Sequence, residues 1–190
     1  MSLNTVYAMA NHKKHVVVCD DQTLWIKHYL DALDARGYEL HYFQNTSDCL
    51  NNVKSGRLNN VHMFILDVVF EHPFFHYPPE DCRYGEIAGL KLAHEVRHRF
   101  SDVPIILFSG ADFQHIVDLA ETAVAGLRTE NLGNSAYIKK GDYRPNEMAA
   151  FVARFFNCGR FPSNVLTRWL NKMGIEIPLI GGANLTLSRT

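Results

Sequence analysis

No apolar run in the 190 residues approaches the length of a membrane span. The opening stretch MSLNTVYAMANHKKH has no apolar centre of the signal-peptide kind, so a cytoplasmic protein is expected. An excess of one charge is also missing. Lys plus Arg total 19 against 20 Asp plus Glu, a net charge of −1, which argues against a broad nucleic-acid surface. Neither nucleic acid nor membrane is therefore an expected partner. The four cysteines, Cys19, Cys49, Cys82 and Cys158, form no CxxC pair, which removes the zinc knuckle and the dithiol redox motif and leaves buried free thiols. The chain also lacks a Walker loop, a GxGxxG turn, an internal repeat and any low-complexity segment.

What is present is a globular composition, 47% hydrophobic and 21% charged, on a chain long enough to bury a core without staples. Short apolar runs alternate with amphipathic stretches. Strands are predicted over Val16 to Val18, Tyr38 to Phe43, Val61 to Leu66, Pro104 to Phe108 and Ser135 to Ile138. Between them, Ile26, Leu30 and Leu33 share one helical face, as do Leu50 and Val53, and Leu92, Ala93, Val96 and Phe100. Ile116 to Leu127 and Met148 to Phe155 keep the same spacing. Five strands alternating with helices predict an α/β fold: a doubly wound, five-stranded parallel sheet with helices on both faces. Residues 1–13 read as an N-terminal extension and 14–157 as the domain. Residues 158–190 read as a C-terminal extension, with a helix through Trp169 capped by Ser163 and a hairpin around Gly181 to Asn184.

The strand ends carry the chemistry. Strand one ends in Asp20-Asp21, strand three in Asp67, strand four in Ser109-Gly110 and strand five in Lys139-Lys140. Ligands of open α/β sheets sit at the carboxyl ends of the strands. Three carboxylates there repel one another, so a hard divalent cation is expected among them, and Mg²⁺ suits that donor set. Asp67 would be the nucleophile that accepts a phosphoryl group as an acyl phosphate. Lys140 would neutralise the phosphoryl oxygens, Ser109 would donate a hydrogen bond, and Gly110 leaves room. Helix capping is the competing explanation for Asp21.

The segments VVVCDDQ, FILDVVF, PIILFSGAD and AYIKKGD, in that order and at strand ends, resemble the receiver domain of two-component response regulators over residues 14–157. That resemblance implies a flavodoxin-like sheet in the order 2-1-3-4-5. It implies Asp20 and Asp21 as the acidic metal pair, Asp67 as phospho-acceptor and further ligand, and the backbone carbonyl of Val69 as another. Mg²⁺ would be the cofactor, with Mn²⁺ able to replace it. Ser109 and Tyr137 would form the switch. Lys140 is preferred over Lys139 because Tyr137 stands three residues before it. The implied partners are a sensor histidine kinase or phosphotransfer protein, a downstream protein, and a second copy through the helix predicted after strand four together with strand five, or through the tail. The role is signalling through a self-catalysed acceptance, not turnover of a separate substrate. A phosphorylation-independent assembly module is the alternative.

Several features depart from that pattern. The glycine expected eight residues after the acceptor is matched by Gly89, twenty-two residues on. The intervening insertion, about 70–86, contains His72 and His76 and is expected to act as a lid or partner surface. Lys140 is followed by Gly141 where a proline is usual, and the stretch from Ser109 to Lys140 is long. His94-Glu95-Val96-Arg97-His98 matches the HExxH zinc pattern, but its histidines fall opposite the apolar face, as expected of a solvated helix side.

Overall fold

The computed structural model describes residues 13–112, 114–118 and 134–158. The chain divides into two units, 1–152 and 153–190. The first holds a sheet of β1 (His15–Cys19), β2 (Glu39–Phe43), β3 (Val61–Leu66), β4 (Ile105–Ser109) and β5 (Ser135–Lys139). Every neighbouring pair is parallel and the order is β2-β1-β3-β4-β5. The helices are α1 (Thr23–Asp34), α2 (Thr46–Lys54), α3 (Ala88–Arg99) and α4 (Pro145–Cys158). Residues 114–118 form a helical turn after β4. The five predicted strands therefore stand within one residue of the observed ones at each end. The N-terminal extension up to residue 12, most of the helix predicted through Leu127, and the tail helix and hairpin of 159–190 lie outside the described residues.

Alternation along the central strands explains the two layers. Val17, Cys19, Phe64, Leu66, Ile105 and Leu107 face a core shared with Leu50 and Val53 of α2 and Leu92, Ala93 and Val96 of α3. The intervening residues, Val16, Val18, Met63, Ile65, Ile106 and Phe108, are equally buried on the other face. There α1 lays Tyr29 edge-on against Phe108 with ring centroids 5.0 Å apart. The Tyr29 hydroxyl donates to the carbonyl of Tyr143 at 2.8 Å, tying α1 to the turn before α4. α4 contributes buried Met148, Ala149, Phe151 and Val152.

Local signals set the helix ends. Asn45 caps α2, its Oδ1 accepting from the Asp48 amide at 2.7 Å. Arg97 closes α3: its Nη1 donates to the carbonyls of Phe100, Ser101 and Val103 at 2.7–2.8 Å, and Nη2 reaches that of Asn134 at 3.1 Å. The guanidinium thus holds the α3–β4 turn against the entry to β5.

The insertion is anchored rather than free. Phe70, Tyr77 and Cys82 are buried in the α2–α3 core, with Phe74 and Phe75 packed on it. The Phe70 amide donates to the Gly85 carbonyl at 3.0 Å, and the Thr46 amide to the Phe74 carbonyl at 3.0 Å. Two 3₁₀ turns, Pro79–Asp81 and Arg83–Gly85, complete it. Gly85 has φ +102°, and a Cβ there would meet the Phe70 carbonyl oxygen at 1.9 Å. Tyr84 stands 80% exposed. Cys19, Cys49 and Cys82 are buried free thiols, as expected from their spacing.

Candidate functional site

The strand ladders extend one residue beyond the strands and so align the rim. The Asp20 amide donates to the Phe43 carbonyl at 3.1 Å, the Asp67 amide to Cys19 at 2.8 Å and the Lys140 amide to Ser109 at 2.7 Å. β1, β3 and β5 thereby deliver an acid, an acid and a lysine to the same end of the sheet. Tyr42 on β2 supports the first turn, its hydroxyl donating to the Asp20 carbonyl at 2.7 Å.

Asp20, Asp21 and Asp67 are all buried, and each offers a carboxylate oxygen within 4.8 Å of the other two. The Lys140 ammonium contacts Asp67 Oδ2 and lies 2.8 Å from Asp20 Oδ2, with its side chain only 5% exposed. Its Nζ also stands 5.3 Å from the Trp25 ring centre. The remaining oxygens are held by backbone. Asp20 Oδ1 accepts from the Gln22 amide at 2.9 Å, and Asp67 Oδ1 from those of Val68 at 2.7 Å and Val69 at 3.4 Å.

Asp21 does not cap α1: the N-cap position is Gln22, without a side-chain cap bond. Its Oδ2 instead accepts from the Glu71 amide at 2.7 Å, at the start of the insertion. Its Oδ1 is buried with no hydrogen-bond partner. A buried carboxylate oxygen left in this way is costly unless a cation takes it. Three carboxylates and one ammonium leave a net charge of −2, which a divalent ion balances. Oxygen-only donors select a hard ion, so the residues present fit Mg²⁺.

The electrostatics agree. Burial pushes Asp67 up to about 6, and Asp20 adds to the rise, against Lys140 and the Val68 amide, which lower it. Burial likewise raises Asp21. For Lys140, burial pulls downward, but the Asp67 and Asp20 carboxylates more than offset it and the net shift is upward. The ammonium stays charged, while Asp67 and Asp21 hold a proton more readily than free carboxylates.

Ser109 is fully buried, and its Oγ accepts from the Ala111 amide at 3.4 Å. The Tyr137 hydroxyl donates to the Ala111 carbonyl, so both switch candidates meet on the turn after β4. Lys139 pairs with Asp112, so of the two adjacent lysines it is Lys140 that contacts the acidic rim. Gly89 is the matching glycine. Its amide donates to the Val68 carbonyl at 2.9 Å, and a Cβ would collide with the Asp67 carbonyl. A Cβ on Gly110 would meet nothing within 4 Å, consistent with the room expected there.

Solved structures similar to this chain include receiver domains. The chain is similar to the BeF3-activated DrrB receiver domain at a TM-score of 0.54 and 18% identity, covering 76% of this chain and 98% of that one. Against a CheY-like response regulator receiver domain protein from Methanospirillum hungatei JF-1 the values are 0.52 and 14%, over 76% and 94%. The fold is that of a response regulator receiver domain. Another similar structure is the Salmonella typhimurium RcsB response regulator, with 0.59 and 17% over 85% and 67%. No protein-family model and no curated protein matches the sequence. The receiver fold is thus shared at low sequence identity.

The HExxH stretch does not gather a site. His98 is exposed and Glu95 lies 3.8 Å from Lys54, and among the described residues no third ligand joins the two histidines. In the insertion, His76 Nδ1 lies 3.2 Å from Thr46 Oγ1 and His72 packs edge-on to Phe75. The sequence reading missed Glu71, whose contribution is a backbone amide, and it missed His15, Glu39 and His41, which only strand pairing brings together.

Proposed function

We propose that the protein is a phosphorylation-controlled switch in which Asp67 accepts a phosphoryl group from a histidine kinase or phosphotransfer protein. The observation that carries this is the buried Asp67 in contact with Lys140, beside an acidic pair whose Asp21 Oδ1 has no partner. A carboxylate oxygen of Asp67 would bond to phosphorus as the P–N bond of a phosphohistidine donor, or the P–O bond of acetyl phosphate, breaks. The leaving group keeps the electron pair. Asp20, Asp21, Asp67 and the Val69 carbonyl would hold Mg²⁺, which when bound supplies charge neutralisation at the phosphoryl oxygens. Lys140 does the same from the other side, already positioned and charged.

The added group carries acceptor oxygens into reach of the Ser109 hydroxyl. Drawing Ser109 toward it would disturb the turn at Ala111, where the Tyr137 hydroxyl is bound, and so carry the event to the β4–β5 edge. On this reading the protein turns over no separate substrate. It works in the cytoplasm, where such donors occur, and signals through a downstream protein or a second copy of itself.

Incubation with acetyl phosphate and Mg²⁺ followed by intact-mass analysis tests this. The wild type should gain about 80 Da and Asp67→Asn should not. No wild-type adduct, or an equal adduct in the variant, refutes it. Partner binding unchanged by Asp67→Ala would favour the phosphorylation-independent assembly module instead.

A further inference from the structure

The opposite end of the sheet holds a second convergent group. His15 opens β1, and its parallel partner across the ladder is Glu39 on β2. His41 follows Glu39 by two residues, so the period of a strand returns it to the same face. Three ligand atoms meet there: His15 Nδ1 and His41 Nε2 lie 3.0 Å apart, and Glu39 Oε1 is 3.6 Å from the first and 4.0 Å from the second. The two imidazoles stack at 5.3 Å with their planes 10° apart. His62 on β3 stacks on the other side of His15 at 5.9 Å, and its Nδ1 accepts from the His15 amide at 3.2 Å, which steadies both rings.

We propose that His15, Glu39 and His41 form a zinc site with an open fourth position. Zinc binds imidazole nitrogen and carboxylate oxygen at about 2.0–2.2 Å, which in a tetrahedron sets ligand atoms about 3.4 Å apart. The three observed separations bracket that value. Two imidazoles and one carboxylate are a borderline donor set, which favours zinc over Mg²⁺. The side chains are 27–48% exposed, so a metal can enter and water can complete the shell. Without metal, the 3.0 Å nitrogen pair shares one N–H. Binding needs each ring to carry its proton on the nitrogen turned away from the metal, a tautomer change through solvent with no net proton released.

The two ends of β1 would then select different ions. His15 and Asp20 are five residues apart, about 16 Å along a strand, so the sites cannot share a metal. Zinc at the histidine end would pin the edge strand β2 to β1. This inference does not rest on the phosphorylation reading.

Zinc chloride titrated calorimetrically into the metal-free full chain under saturating Mg²⁺ tests it. One equivalent should bind with micromolar affinity or tighter. His15→Ala and His41→Ala should each weaken it at least tenfold, while Asp21→Asn should leave it unchanged. Glu39→Gln, at an exposed position, should also weaken it. Cobalt bound in place of zinc should show the visible absorption of four-coordinate cobalt in the wild type and lose it in His41→Ala. Absence of zinc binding, equal affinity in the histidine variants, or loss in Asp21→Asn would overturn the proposal.

Discussion

The Cβ that Gly89 lacks would lie 1.6 Å from the backbone carbonyl oxygen of Asp67. α3 can therefore start directly against the loop that presents the acceptor carboxylate only while position 89 has no side chain. Gly89→Ala should push that loop outward and cost about 3 kcal/mol, read from denaturant unfolding. Gly110→Ala, with open space around its Cβ, should stay within about 0.5 kcal/mol of wild type. Equal effects of the two would show that the close approach is not what position 89 provides.

The sign of the Asp67 shift predicts how stability follows pH without metal. Its folded pKa of about 6 lies above the ordinary aspartate value of 3.8, so the native state holds that proton more tightly than the unfolded chain. Stability should fall as pH rises from about 4 to about 6 and remain low above that window. Asp67→Asn should flatten this fall and stabilise the Mg²⁺-free protein at pH 7 by about 1–3 kcal/mol. Chemical denaturation at pH 4, 5, 6 and 7 checks both. A wild type more stable at pH 7 than at pH 4, and unimproved by the substitution, would contradict the shift.

Mg²⁺ should reverse that penalty. At a hundred times its dissociation constant an ion that binds only the folded state adds about 2.7 kcal/mol. The melting temperature should rise with Mg²⁺ in the wild type and lose most of that rise in Asp21→Asn, which removes the carboxylate whose Oδ1 has no partner. A Mg²⁺ response equal in the two proteins would remove Asp21 from the ligand set.

Arg97 offers a prediction away from the rim. Its four carbonyl contacts make Arg97→Ala cost about 1–3 kcal/mol, because half-buried and exposed carbonyls at the α3–β4 turn lose a charged donor. Arg97→Lys should not restore this, since one ammonium cannot span the same fork. Thermal unfolding of the three proteins makes the comparison.

The sheet and its rim were legible because they obey local rules. Val16 to Val18 and Ile105 to Phe108 are continuous apolar runs, as strands covered on both faces must be, and each acidic or basic candidate follows such a run directly. Lys140 was preferred over Lys139 on spacing alone; its Nζ lies 2.8 Å from Asp20 Oδ2, while Lys139 pairs with Asp112. Asp21 as a helix cap was a fair alternative from its place before α1, but its carboxylate turns to the Glu71 amide. No side-chain pattern marks that bond, because the donor is backbone. The insertion read as a lid or partner surface because it follows the acceptor strand at the mouth of the site. Its burial of Phe70, Tyr77 and Cys82 depends on tertiary packing that periodicity does not encode.

The Asp21–Glu71 hydrogen bond gives the rim two outlets rather than one. Tyr137 connects it to the β4–β5 edge, while the peptide at Glu71 connects it to a core-anchored segment on the far side of β3. A cation that draws on Asp21 therefore pulls directly on the base of the segment crowned by exposed Tyr84. A dye placed at residue 84 would make occupancy of the acidic rim visible from outside, without any contact between dye and ion.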